Sequence, residues 1–209
     1  MTKIHPRVEV SSSPSPSPSP SSSSSCYVTS EREVFTIWMK SLVLNGYGCT
    51  VFDRNGDIIY RMDNYDSISR KEVHLMDLKG LILFTILKKK FRIFGRWEGY
   101  RLGVSMLKNR NPWFQVRKLC NPKGKSHCEV TIKMEENELA CYRIEKMATK
   151  SACKIVDQSG ALVAEVAQKR TTSGVKLGSD VLTLMVEPHI DHLLVMGLVI
   201  VYGLINHRM

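Results

Sequence analysis

The chain lacks the residue patterns that mark most catalytic and metal-binding proteins. It has no Gly-x-Ser-x-Gly, no Gly-x-x-x-x-Gly-Lys-Ser/Thr, no His-Glu-x-x-His and no Gly-x-Gly-x-x-Gly. These absences remove the usual nucleophile elbow, phosphate loop, zinc-protease helix and dinucleotide turn. Six cysteines are scattered with no Cys-x-x-Cys and no histidine at zinc-finger spacing, which argues against a structural zinc. The first ten residues, MTKIHPRVEV, hold no apolar stretch of the secretory kind, and no Asn-x-Ser/Thr acceptor occurs anywhere. The expectation is an intracellular, reducing setting with free thiols, and no metal or cofactor. Acidic residues are missing from one long stretch. Between positions 88 and 123 eleven cations face the single acid Glu98.

What is present points to one domain with a tail. The chain has 209 residues, 43% of them hydrophobic, and a formal net charge of +10. Residues 11–25 are only serine and proline, which can neither fill a core nor donate a sheet ladder, so residues 1–30 read as a disordered tail. Four Ser-Pro dyads there (Ser13, Ser15, Ser17, Ser19) are candidate phosphorylation sites; a passive spacer is the simpler reading. Residues 31–209 read as the folded domain.

Turn signals recur along that domain in one form: Asp or Asn, two residues, then Gly. They are Asp53-Arg-Asn-Gly56, Asp77-Leu-Lys-Gly80, Asn121-Pro-Lys-Gly124 and Asp157-Gln-Ser-Gly160. The side-chain oxygen can accept from its own backbone two residues on, and glycine supplies the positive φ of a tight hairpin. Each turn leads into an extended run of alternating side chains, such as Ile58, Tyr60, Met62 or Leu162, Ala164, Val166. Period two between turns predicts antiparallel strands, and many short strands predict a closed barrel. The hairpins opening at Cys49 and Cys153 align residue for residue, which suggests a duplication into two half-barrels. Both cysteines are then small core side chains.

The chain ends differently. Leu193 to Ile205 reads LLVMGLVIVYGLI, thirteen residues without a charge. A helix apolar all round must be enclosed on every side. It would span only about 20 Å, short of the roughly 30 Å core of a bilayer. The expected element is a buried helix over about 189–206, with Pro188 and Asp191 in its first turn. A membrane anchor is the alternative.

These segments together resemble the plant LURP-one-related family, whose domain is tubby C-terminal-like and related to phospholipid scramblases. The resemblance rests on Phe35–Leu42, Gly48–Gly56, Tyr60–Tyr65, Leu75–Gly80, Leu87–Lys90 with Arg96-Trp-Glu98, Lys154–Asp157 and Pro188–Asp191. It implies a mainly β (α+β) fold: a closed twelve-stranded antiparallel β-barrel around a buried hydrophobic C-terminal helix. It also implies a link to plant defence, with phosphoinositide binding as in the tubby branch; the missing catalytic motifs add the expectation of a non-enzymatic, lipid-binding or membrane-tethered regulatory protein. No calcium-type acidic loop or palmitoylation cluster of the scramblase kind is present.

The basic stretch is the candidate site. Lys88, Lys89, Lys90, Arg92, Arg96 and Arg101 lie among Phe91, Phe94, Trp97 and Tyr100, a mixture suited to an anionic phospholipid headgroup. The plainer reading makes the aromatics core and the cations a solvated face. A DNA-binding regulator is the runner-up, although no base-reading motif accompanies the charge. A protein-interaction scaffold without a lipid role is the competing class. The expected protein is a monomer in the cytoplasm, at the plasma-membrane surface or in the nucleus. His189 and His192 flank Asp191 and are read as hydrogen-bonded caps rather than metal ligands.

Overall fold

A computed structural model describes residues 27–39, 47–64, 72–89, 95–101, 111–120, 126–133, 138–147 and 152–206. Among these residues twelve strands precede one helix. They are β1 (Glu33–Trp38), β2 (Tyr47–Phe52), β3 (Ile58–Asn64), β4 (Glu72–Met76), β5 (Ile82–Lys89) and β6 (Arg96–Arg101). Next come β7 (Phe114–Cys120), β8 (Ser126–Lys133), β9 (Leu139–Lys146), β10 (Cys153–Val156), β11 (Leu162–Gln168), β12 (Val181–Val186) and the helix α1 (His192–Ile205). Each strand pairs antiparallel with its sequence neighbours, and β1 closes the ring against β12 with Glu33 opposite Val186 and Trp38 opposite Val181. No sheet edge is left open within this ring, which removes the usual liability of a long sheet.

The helix fills the lumen. Every residue from His192 to Leu204 is buried, and only Ile205 is partly exposed. Inward side chains of the strands meet it, among them Ile37, Val51, Met62, Phe84, Val116, Ile144, Ile155 and Leu184. Burying each such side chain contributes about 1.5–3 kcal/mol. The helix begins later than its sequence suggests. Asp191 is the N-cap, its carboxylate accepting from Leu194 N at 3.0 Å, so Pro188 and His189 lie before the helix. One layer of the core depends on missing side chains. The Phe114 ring sits so close to Gly99 on β6 that a β-carbon there would come within 2.2 Å of it. On α1, a β-carbon at Gly197 would stand 3.0 Å from both Phe114 and Phe84.

The turns are built alike. Asp53, Asp77 and Asp157 each accept, through one carboxylate oxygen, the backbone N–H four residues on, at 2.8, 2.9 and 2.9 Å. Gly56, Gly80 and Gly160 take φ of 89, 83 and 88°. The strand register slips beside each turn, at Val51/Phe52, Leu75/Met76 and Ile155/Val156. Asn121–Gly124 lies outside the described residues. A fourth turn of this shape, Thr171–Gly174, replaces the carboxylate with a hydroxyl: Thr171 Oγ1 accepts from Val175 N at 3.1 Å and Gly174 has φ 83°.

The duplication does not survive as two half-barrels. Copies related by half a ring of twelve would be six strands apart. The β2–β3 and β10–β11 hairpins are eight apart in chain order, and β4–β5 carries the same turn. All three turns link an even strand to the next odd one, so all lie at one end of the barrel. Their likeness reflects one local solution to reversing a twisted ladder. Leu162 also departs from its expected alternation: beside the slipped register it is exposed while Val163 is buried.

The same connectivity fixes two ends. We call the end where α1 begins the top; it also holds the starts of odd strands and the ends of even strands. The bottom holds the ends of odd strands, the starts of even strands and the end of α1.

Candidate functional site

Strand alternation splits the predicted cation cluster. Lys88 and Lys89 end β5 and Arg96 begins β6, all at the bottom. Lys88 faces Trp97 across the ladder, and its ammonium lies 5.5 Å from the Trp97 ring centroid, within cation–π range. Lys89 lies on the other side of the wall, directly opposite Arg96, and Arg96 is directly opposite Arg117 on β7. Three cations therefore stand side by side across three strands, about 4.8 Å from strand to strand. Like charges in that relation are destabilising, an effect that Glu98 beside Arg96 and Glu129 opposite Arg117 offset in part.

Each cation in the row is held differently. Arg96 is anchored by Glu98, at 2.5 Å, and Glu98 is only 3% exposed. The Tyr100 hydroxyl donates to the same carboxylate at 2.5 Å. Burial, with help from that carboxylate, pushes the Tyr100 phenol up to about 12. Lys89 and Arg117 are exposed. Glu129 stands opposite Arg117 and closes the row on its β8 side. Beside Arg117, a groove of about 390 Å³ follows the outer wall of β7–β9, bordered by Gln115, Thr131, Lys133 and Leu139.

Arg101 belongs elsewhere. It ends β6 at the top, where its guanidinium meets Asp191 at 2.8 Å and lies 3.9 Å from the Trp113 ring centroid. It tethers the helix cap and does not join the row. Lys90 and Arg92, with Phe91 and Phe94, lie outside the described residues, as do Ser13, Ser15, Ser17 and Ser19.

The top of the barrel is a structural joint. His192, the first residue of α1, has both ring nitrogens engaged: Nδ1 with Glu33 at 2.7 Å and Nε2 with the Tyr60 hydroxyl at 2.9 Å. Phe35 and Tyr27 flank the ring at 5.2 and 5.6 Å between centroids. Val28 pairs with Asp191, and His189 N donates to Thr29 O at 2.7 Å. His189 itself takes a φ of 62°, the one non-glycine residue with positive φ among those described. Among the described residues no three His, Cys, Asp or Glu gather as metal ligands. Glu33 and Tyr60 could not be assigned to His192 from sequence, being 159 and 132 residues away.

The thiols are mostly core. Cys49 and Cys153 are buried, as their place in the hairpins suggested, and burial pushes Cys153 up to about 12 and Cys128 up to about 11. Such thiols are poor nucleophiles at neutral pH. Among the described residues no helix is long and apolar enough to cross a membrane.

A family model described as LURP-one-related matches residues 33–203. Protein LURP-one-related 11 of Arabidopsis thaliana is 44% identical over 99% of this chain and 89% of its own. Protein LURP-one-related 3 of the same plant is 46% identical over 85% of this chain and 82% of its own. An X-ray structure of an Arabidopsis thaliana protein superposes with a TM-score of 0.62 at 17% identity, over 87% of this chain and 95% of that one, a likeness of fold. The match spans nearly the whole barrel and its helix, and this chain belongs to the LURP-one-related family.

Proposed function

We propose that this chain is a non-enzymatic regulatory protein that docks on anionic phospholipid headgroups through the outer wall of β5–β7. The observation that carries this reading is the row Lys89, Arg96, Arg117, three cations in direct cross-strand register. Lys88 stands on the opposite face of the wall, against Trp97, and is not part of the row. Phosphates satisfy such a row through charge-assisted hydrogen bonds, bidentate at arginine. Near an anionic surface each cation contributes about 1 kcal/mol. The tubby-like and scramblase-like resemblance favours a phosphoinositide, and the family resemblance favours a part in plant defence, with the protein partitioning between the plasma-membrane surface and the cytoplasm or nucleus. The helix offers nothing to a DNA groove, since it is sealed in the lumen; a nucleic acid could meet this wall only at its phosphates.

Flotation with phosphatidylcholine vesicles, with and without phosphatidylinositol bisphosphate, tests this. The double variant Lys89→Gln/Arg117→Gln leaves the Arg96–Glu98 pair intact. Two cations at about 1 kcal/mol each predict a loss of about 30-fold in affinity. Unchanged flotation of the variant refutes the assignment. The second reading, a protein-interaction scaffold, draws on a different surface. Among the described residues Val28, Leu78, Leu81, Leu139 and Leu162 are exposed in segments at the top of the barrel, while exposed Val175 lies at the bottom. Wild-type protein that ignores anionic vesicles altogether would favour that reading.

A further inference from the structure

We propose that the Ser/Pro tail, once phosphorylated, is this protein's own occupant of the cation row and excludes the headgroup from it. The proposal rests on the headgroup reading for what is excluded, but the docking itself stands on separate observations. A proline-directed kinase would transfer the γ-phosphoryl group of ATP to the Oγ of Ser13, Ser15, Ser17 or Ser19, releasing ADP and the hydroxyl proton. Each phosphoserine brings about −1.5 to −2 charges and three acceptor oxygens. Four of them set about −6 to −8 against the formal +10 of the chain.

Reach and path both fit. The described chain begins at Tyr27, held against His192 at the top of the barrel. Arg96 lies five residues below Arg101 on β6, a descent of about 17 Å. Twelve strands about 4.8 Å apart give a ring of roughly 10 Å radius, so the route from Tyr27 to the row is about 30 Å. Ser13 and Ser17 precede Tyr27 by fourteen and ten residues. A chain spans at most about 3.3–3.6 Å per residue, which bounds those reaches at about 46–50 and 33–36 Å. Ser19, eight residues before Tyr27, reaches at most about 26–29 Å on the same scale and stops just short. The groove on β7–β9 lies on this route: Lys133 and Leu139 are at its upper end, and it runs down the wall to Arg117 and the acid Glu129 opposite it. The groove itself carries Arg117 and Lys133 against the single acid Glu129, a net positive path for an extended phosphorylated segment that leads to Arg96 and Lys89.

Two measurements on the full chain decide it. First, a fluorescent peptide of residues 10–22, phosphorylated at the four serines, is titrated against the full chain carrying Ser13→Ala, Ser15→Ala, Ser17→Ala and Ser19→Ala. Phosphate-dependent binding is expected, weakened at least 10-fold when Lys89→Gln and Arg117→Gln are added. A phosphopeptide that binds no more tightly than its unphosphorylated form, or is indifferent to those two changes, overturns the docking. Second, the kinase-treated chain is floated with phosphoinositide vesicles beside the untreated chain. Phosphorylation is expected to weaken association at least 10-fold, with Ser13 to Ser17 accounting for most of the change. Equal flotation of both forms overturns the competition and leaves the headgroup reading standing. Failure of the untreated chain to float sinks the headgroup reading, and with it the competition, while the peptide titration still decides whether the tail docks.

Discussion

Replacing Val199 with aspartate puts the enclosure of α1 to a quantitative test. Val199 sits mid-helix, 3% exposed, with apolar helix neighbours on either side of it and strand side chains around it. A carboxylate placed there has no designed partner and would be held neutral. Protonating an ordinary aspartate at pH 7 costs about 4 kcal/mol, taking 1.36 kcal/mol per unit over the roughly three units to its usual pKa. Burying the neutral acid without hydrogen bonds adds about 1–3 kcal/mol. The sum, about 5–7 kcal/mol, rivals the 5–15 kcal/mol total stability of a typical domain. The pH dependence follows by linkage. The folded-state pKa is raised above the unfolded one, so the protonation penalty is absent below the unfolded value and grows as pH rises. At pH 4.5 that part shrinks to about 1 kcal/mol. Urea unfolding of the variant and the parent at both pH values reads the difference directly. Val199→Thr, which has no titrating group, should show a smaller loss that does not change with pH. A Val199→Asp chain within about 1 kcal/mol of the parent at pH 7, or a deficit independent of pH, would refute the reasoning.

Gly99→Ala forces a β-carbon to within 2.2 Å of the Phe114 ring, an overpacking expected to cost about 1–3 kcal/mol or more; Phe114→Leu in the same chain should recover part of it in a double-mutant cycle. Asp191→Ala removes the helix cap and the Arg101 partner together, so a loss of about 1–2 kcal/mol is expected by urea unfolding, with Asp191→Asn milder because it keeps the cap. The Tyr100 phenol, raised to about 12 by burial and Glu98, stabilises the fold fully below its ordinary pKa of 10.0, and that contribution is lost as pH climbs toward 12. Phenolate absorbance of the parent minus that of Tyr100→Phe should show one late-titrating tyrosine. A thiol reagent at neutral pH should label exposed Cys120 promptly, and Cys49, Cys128 and Cys153 only after unfolding.

The parts of this fold that local chemistry dictates were legible from sequence. The uncharged run from Leu193 to Ile205 is short for a bilayer and reads first as an enclosed helix, and the Asp-x-x-Gly spacing encodes a carboxylate-braced reversal. Features set by register over long separations were not. Thr171–Gly174 reverses the chain as the aspartate turns do, but its brace is a hydroxyl and falls outside the Asp/Asn-x-x-Gly pattern. Arg101 sits only five residues from Arg96, yet that is the height of the wall, and it serves the opposite end of the barrel. Arg117 was one of eleven scattered cations until pairing with β6 set it beside Arg96. The engagement of His192 with Glu33 and Tyr60 requires the ring to close first, bringing β1 and β3 to the start of the helix.

Hydrogen exchange on the amides of residues 195–204 addresses the enclosed helix most directly. A plug sealed by its own strands predicts protection equal to that of central strands such as β5 and β8, with exchange only through global unfolding, in the absence of any lipid. Fast exchange of these amides while the strands stay protected, or protection that arises only when vesicles are added, would contradict it.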